Sequence, residues 1–215
     1  MKQAVIFDMD GVIADSEYFN VMAKHLLLKK FGIEVEWKYH DKYLGTTHEF
    51  MWTEMKREFG LPENVDYYIT EAEIIRRELI EKEGMKPMPG VVDFISRIHK
   101  QNIPMAVASS SSKKDIMDNL TGFGIINYFQ TLVSGWDCKK GKPDPEVFLR
   151  AAEELGIMPE KCVVIEDSSN GVKAAKAAGM KCIAYTPIQA AKQDVSQADQ
   201  TIDDFEKLSV DELIS

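Results

Sequence analysis

The sequence has little cysteine, no excess of basic charge and no long apolar run, and each shortage excludes a class of protein. Its three cysteines, Cys138, Cys162 and Cys182, are odd in number and lack C-x-x-C spacing, so neither a disulfide framework nor a cysteine-rich zinc module is expected. Cys162 and Cys182 border or enter apolar runs, which fits buried, reduced thiols in a cytoplasmic protein. Lys and Arg number 26 against 35 Asp and Glu, a formal charge of −9. With no basic stripe, nucleic acid is not an expected partner. The short pairs Arg76-Arg77 and Lys139-Lys140 read as solvated faces. No apolar segment approaches the ~20 residues of a membrane span. Met1-Lys2 leads straight into an apolar strand, so no cleavable leader is expected and a cytoplasmic location fits. Nothing in the sequence demands more than a monomer.

What remains is an ordinary globular composition, 45% hydrophobic and 28% charged, in a chain long enough for one large domain or two small ones. The patterning changes along it. Ala4 to Phe7 is a continuous apolar run closed by a turn, the mark of a buried parallel strand. From about Ser16 to Lys86 apolar residues recur at helical spacing, as in Phe19, Met22, Ala23, Leu26 and Leu27, and Gly32, Gly45, Gly60 and Gly84 divide four helical segments. From Pro87 onward strands and helices alternate. Strands are expected at Pro104 to Ala108, Tyr128 to Val133, Cys162 to Ile165 and Lys181 to Tyr185. Helices are expected at Lys113 to Leu120, Glu146 to Leu155 and Asn170 to Ala178, with a closing helix over Asp203 to Ser215. That alternation predicts an α/β fold, a doubly wound parallel sheet covered on both faces. The first strand has no partner in the helical stretch and must belong to this sheet. The expected domains are therefore a core of residues 1–14 and 87–215 and a helical cap of residues 15–86, with hinges near Asp15 and Met88-Pro89-Gly90.

Four segments carry chemistry. Asp8 and Asp10 follow the first strand at i, i+2 spacing, ahead of Gly11. Alternate strand residues share a direction, so the two carboxylates can converge where open α/β sheets bind ligands. Two such carboxylates at an apolar sheet mouth point either to a metal site or to a nucleophile beside an acid/base. The other segments are Ala106-Val-Ala-Ser-Ser110, Gly141-Lys-Pro-Asp-Pro145 and Val163-Val-Ile-Glu-Asp-Ser-Ser-Asn-Gly171. Ser109 ends a strand, Lys142 is held extended by Pro143, and Glu166-Asp167 adds an acidic pair. Ser111 and Ser112 read as turn and helix-cap residues, and Gly171 as a point of close backbone packing.

Together these four motifs resemble the haloacid dehalogenase superfamily, and the helical insertion resembles its subclass with a four-helix cap, which includes β-phosphoglucomutase and many sugar-phosphate phosphatases. The likeness spans nearly the whole chain. It implies a Rossmann-like core and phosphoryl transfer to Asp8, with Asp10 as general acid/base and Ser109, Ser110 and Lys142 binding the transferring phosphate. It implies Mg²⁺ held by Asp8, by the backbone carbonyl of Asp10 and by Asp167, with Glu166 a weaker ligand or a group behind it. All-oxygen donors suit that hard cation. The substrate implied is a small phosphorylated metabolite, and a second aspartate, Asp10, argues for a phosphate ester. The loop Leu44-Gly-Thr-Thr-His-Glu49 resembles the family's substrate loop, which makes Thr46, Thr47 and His48 candidate substrate contacts. Here the chain departs from the mutase: Asn20 stands where a histidine is expected, His48 where an arginine is expected, and the cap lysine has no secure match unless Arg76 or Arg77 substitutes. A mutase must hold a bisphosphate by a cation at each end. The expectation is therefore a phosphatase, with β-phosphoglucomutase as the alternative and a catalytically silent binding domain a remote third.

Overall fold

A computed structural model describes residues 3–43, 46–187 and 193–213. Leu44 and Gly45 of the expected substrate loop, Met1 and Lys2, and the last two residues of the expected closing helix lie outside the described residues. The chain divides into two compact units, one running to Asp15 and resuming at Lys86, the other Ser16–Met85.

The first unit is built on a six-stranded parallel sheet. Its strands are β1 (Ala4–Phe7), β2 (Met105–Ser109), β3 (Thr131–Ser134), β4 (Cys162–Glu166), β5 (Lys181–Tyr185) and β6 (Gln200–Ile202), in spatial order β3-β2-β1-β4-β5-β6. β1 is central and pairs with both β2 and β4: Phe7 lies opposite Val107 on one side and Ile165 on the other. Alternation sorts the side chains between the faces. Ala4 and Ile6 join Ala106, Ala108 and Val164 against the helices Glu146–Leu155 and Ser169–Ala177. Phe7 turns the other way, edge-on to Phe94 and Phe129. Phe94 belongs to the helix Val91–Lys100, whose buried residues Val91, Phe94, Ile95 and Ile98 form one stripe at helical spacing. The sheet is doubly wound, as the alternation of strands and helices implies.

Two local expectations are corrected. Tyr128 closes a 3₁₀ turn, Ile126–Tyr128, and the strand begins only at Thr131. The closing helix is instead a 3₁₀ turn, Phe205–Lys207, and a short helix, Val210–Leu213. They follow β6, a three-residue edge strand too short and polar to register as an apolar run. The second unit keeps the four expected helical segments. Among the described residues three of them are α-helices, Glu17–Lys30, His48–Phe59 and Val65–Glu83, and the other is a 3₁₀ stretch, Trp37–Tyr43. The core of this unit gathers Ala23, Leu27, Leu28, Met51, Trp52, Met55, Tyr68 and Ile75, with Trp52 stacked on Tyr68 at 5.3 Å.

The chain leaves and re-enters the first unit through a paired stem. Ala14 bridges Pro87 in antiparallel fashion, Asp15 N donates to Lys86 O at 2.9 Å, and Met88 N to Ile13 O at 2.8 Å.

Candidate active site

The carboxyl ends of the central strands place the candidate residues. Asp8 follows β1 and is 6% exposed, and its N–H donates to Ile165 O at 2.9 Å, continuing the ladder. Ser109 ends β2 and Glu166 ends β4, each 1% exposed. Lys142 reaches in from the loop after β3. Its ammonium donates to Asp8 Oδ1 at 2.5 Å, Glu166 Oε1 at 2.9 Å and Ala108 O at 3.2 Å, and lies 4.6 Å from the ring centroid of Phe148. The loop is fixed by Glu146, whose carboxylate accepts from the backbone N–H groups of Lys139 and Lys140 at 3.0 to 3.1 Å. Lys139 and Lys140 are themselves exposed.

Charge in this site is unbalanced. Asp8, Glu166 and Asp167 bring carboxylate oxygens within 4.8 Å of one another. Burial raises Asp8 from 3.8 to about 7, Lys142 opposing and Glu166 and Asp10 adding to the rise. Burial, then Glu166 and Asp8, push Asp167 well above the usual carboxylate range. Burial also works against the charge of Lys142, but Asp8 and Glu166 outweigh it and hold the ammonium above the ordinary lysine value. Three carboxyl groups around one ammonium form a site that a cation would relieve.

The residues fit a hard divalent cation. The donors are all oxygen, and the space they use is kept open by glycines. Gly11 has φ +80°, and a Cβ there would collide with the Asp167 carboxylate. A Cβ on Gly171 would collide with the carboxylate of Glu166. Gly171 was expected to serve close backbone packing, but it makes room for a side chain. Glu166 is also held from its other oxygen, which accepts from Ser168 N at 2.5 Å.

Asp10 sits in the tight turn after β1, where Gly11 N donates to Ala14 O and Ala14 N to Met9 O. Its carboxylate is not among the three grouped acids; it accepts a hydrogen bond from the hydroxyl of Ser111. The serine run divides its tasks. Ser112 caps the helix Lys113–Gly122, accepting from Asp115 N at 3.1 Å. Ser109 Oγ accepts from Ser111 N at 3.1 Å. Ser110 is exposed. Sequence reasoning gave Ser111 to the turn and overlooked Ser134, whose hydroxyl donates to Ser111 O at 2.7 Å. The available signal was register: Ser134 ends β3 opposite Ser109 at the end of β2.

Thr46, Thr47 and His48 belong to the helical unit and are exposed. Thr46 Oγ1 donates to Tyr43 O at 2.6 Å, and Thr47 Oγ1 caps the helix His48–Phe59 by accepting from Phe50 N at 3.2 Å. Desolvation and the nearby charge of Lys24 hold His48 below the ordinary histidine value. Arg76 is paired with Glu73 through two bonds of 2.9 and 3.0 Å, and Arg77 shares the same carboxylate at 2.9 Å.

Among the described residues no helix is long and apolar enough to cross a membrane. The sequence profile described as haloacid dehalogenase-like hydrolase matches residues 5–185. The chain is 30% identical over 181 residues to the phosphorylated carbohydrates phosphatase of Thermotoga maritima, covering 84% of this chain and 83% of that protein. It resembles the crystal structure of β-phosphoglucomutase from Clostridium difficile with a TM-score of 0.75 and 27% identity, covering 99% of this chain and 96% of that one. CbbY from Rhodobacter sphaeroides, solved in complex with phosphate, is similar with a TM-score of 0.77 and 25% identity over 97% of both chains. The chain belongs to the haloacid dehalogenase-like hydrolase family and is an enzyme of its phosphoric monoester hydrolase group.

Proposed function

We propose that this protein hydrolyses the phosphate monoester of a small metabolite, a sugar phosphate, through an aspartyl-phosphate on Asp8. The observation that carries the reading is the buried ammonium of Lys142, which bridges Asp8 and Glu166 beside Asp167. The Asp8 carboxylate attacks phosphorus, and the new P–O bond forms as the bond to the substrate alcohol breaks. Asp10 gives its proton to the departing oxygen, then takes one from the water that attacks the aspartyl-phosphate, releasing phosphate and restoring Asp8. Lys142 offsets charge on Asp8 and on the transferring group, and Ser109 and Ser110 supply donors to the phosphate oxygens. Asp8, Asp167, the backbone carbonyl of Asp10 and, more weakly, Glu166 would hold Mg²⁺. The ion supplies positive charge that lets an anionic nucleophile and an anionic phosphate meet.

Sugar phosphate as the substrate class rests on the phosphatase of Thermotoga maritima, whose name specifies phosphorylated carbohydrates. Hydrolysis rather than isomerisation is supported by the helical unit. There Arg76 and Arg77 are both drawn to the one carboxylate of Glu73, and desolvation and the charge of Lys24 hold His48 below its ordinary value. A mutase must hold a second phosphate by a cation, and His48 stands where its arginine is expected. Thr46, Thr47 and His48 are the proposed substrate contacts of this unit. The test is a panel of phosphorylated metabolites with Mg²⁺, scored separately for free phosphate and for isomer products. Sugar phosphates should release phosphate. If the panel releases none, the phosphatase reading fails. Rapid formation of glucose 6-phosphate from β-glucose 1-phosphate, with little free phosphate, would make the protein a mutase.

A further inference from the structure

Two serines that the chemistry above does not use lie in line behind Asp10, Ser111 on its carboxylate and Ser134 on Ser111. The Asp10 backbone is set by the Met9–Ala14 turn, but its carboxylate ends on a flexible side chain that must point at a departing oxygen. The hydroxyl of Ser111 donates to Asp10 Oδ2. Ser111 is in turn fixed at both of its backbone polar groups. Its N–H donates to Ser109 Oγ at 3.1 Å, and its carbonyl accepts from Ser134 Oγ at 2.7 Å. Ser134 is 1% exposed and accepts from Trp136 N at 3.2 Å, so its hydroxyl is oriented too. The next residue, Gly135, lies against the serine loop so closely that a Cβ there would stand 3.2 Å from Ser110 Cα and 3.3 Å from Ser109 O. β3 and the serine loop therefore form one packed block behind the Ser111 hydroxyl.

We propose that Ser111, held by Ser134, is a positioning residue that fixes the rotamer of Asp10 for proton delivery to the leaving group. The inference rests on Asp10 being the proton donor. A misaimed donor harms reactions in proportion to how much the leaving group needs a proton. An alkoxide leaves poorly without one, whereas 4-nitrophenolate leaves unassisted.

The experiment compares kcat/KM, which reports the steps up to transfer onto Asp8, for a sugar phosphate and for 4-nitrophenyl phosphate. Ser111→Ala should lower kcat/KM for the sugar phosphate by about tenfold or more while changing the aryl ester by about threefold or less. Ser111→Thr, which keeps the hydroxyl, should recover most of the sugar-phosphate rate. Ser134→Ala should show the same selectivity in weaker form. If the wild-type enzyme cleaves neither ester, the phosphatase reading itself falls. If it cleaves both, and Ser111→Ala slows the two equally or slows neither, the positioning role is overturned while the phosphatase reading stands.

Discussion

Lys142 Nζ stands 2.5 Å from Asp8 Oδ1, and the two side chains are 7% and 8% exposed. A pair so far from water is worth little against an apolar substitute, but breaking it leaves a buried charge without its partner. Lys142→Met should therefore destabilise the protein by about 3–5 kcal/mol in metal-free buffer, read by urea denaturation. Turnover should fall by at least about 10³-fold, given the proposed role of the ammonium toward the phosphate. Activity within tenfold of wild type would remove Lys142 from the mechanism.

Asp8→Asn should behave differently. The amide is nearly isosteric and takes one negative charge out of a site that has too many. Turnover should drop by at least about 10³-fold, while the melting temperature in EDTA should equal or exceed that of the wild type. A variant that still turns over a phosphate ester would refute the aspartyl-phosphate.

Chelation should abolish activity and Mg²⁺ restore it. Ca²⁺ should bind yet support little turnover, because it prefers a larger and looser oxygen shell. The thermal signature has a sign. Asp8 titrates near 7 in the metal-free fold, above its unfolded value of 3.8, so its contribution is present at low pH and is lost as pH rises through about 7. A bound cation relieves that loss and needs the ionised carboxylates. The rise in melting temperature on adding Mg²⁺ should thus be larger at pH 8 than at pH 5. An equal rise at both would sink the ligand assignment.

His40 should make the protein acid-sensitive. It is 2% exposed, neither ring nitrogen has a hydrogen-bond partner among the described residues, and the ring of His25 lies 6.4 Å away. Burial, with Lys24, His25 and Lys42 nearby, lowers its pKa from 6.5 to about 4. Above pH 6.5 the ring is neutral in both folded and unfolded chains and has no effect. As pH falls from 6.5 to 4, only the unfolded chain takes up the proton, and stability declines by up to about 3 kcal/mol before levelling. His40→Leu should flatten that slope. An unchanged slope in the variant would show that the loss arises elsewhere.

Gly171→Ala tests the space around Glu166. In a helix interior alanine is favoured over glycine by up to about 1 kcal/mol, and Gly171 needs no positive φ. The added methyl nevertheless meets the Glu166 carboxylate, which is held by Lys142 and Ser168. A net destabilisation of about 1–3 kcal/mol is expected, with reduced turnover. A stabilised variant would mean that Glu166 moves aside freely.

Much of this was readable from the chain because the decisive signals are local. The run Ala4 to Phe7, followed at once by Asp8 and Asp10, marks a strand end without reference to anything distant. The same holds for Cys162 to Glu166. What stayed hidden depends on contacts made over long separations. Ser111 meets Asp10 across 101 residues and Ser134 across 23, so nothing adjacent to Ser111 distinguishes it from Ser110 or Ser112. His40 looks like any loop histidine until the helical unit closes over it. β6 has only Gln200, Thr201 and Ile202, and its strand character comes from pairing with β5 rather than from its own composition.

The paired stem at Ala14 and Pro87 has a consequence for how this chain could vary. The first unit already closes its own backbone there, with Asp15 N on Lys86 O. Whatever lies between those points is, for the sheet, a loop whose ends are tied. Each doubling of a tied loop's length costs only about 0.6 kcal/mol in closure entropy. The sheet and its acids are thereby insulated from the length and content of the inserted segment. That segment can be exchanged, lengthened or cut to a turn without asking the strands of the sheet to refold.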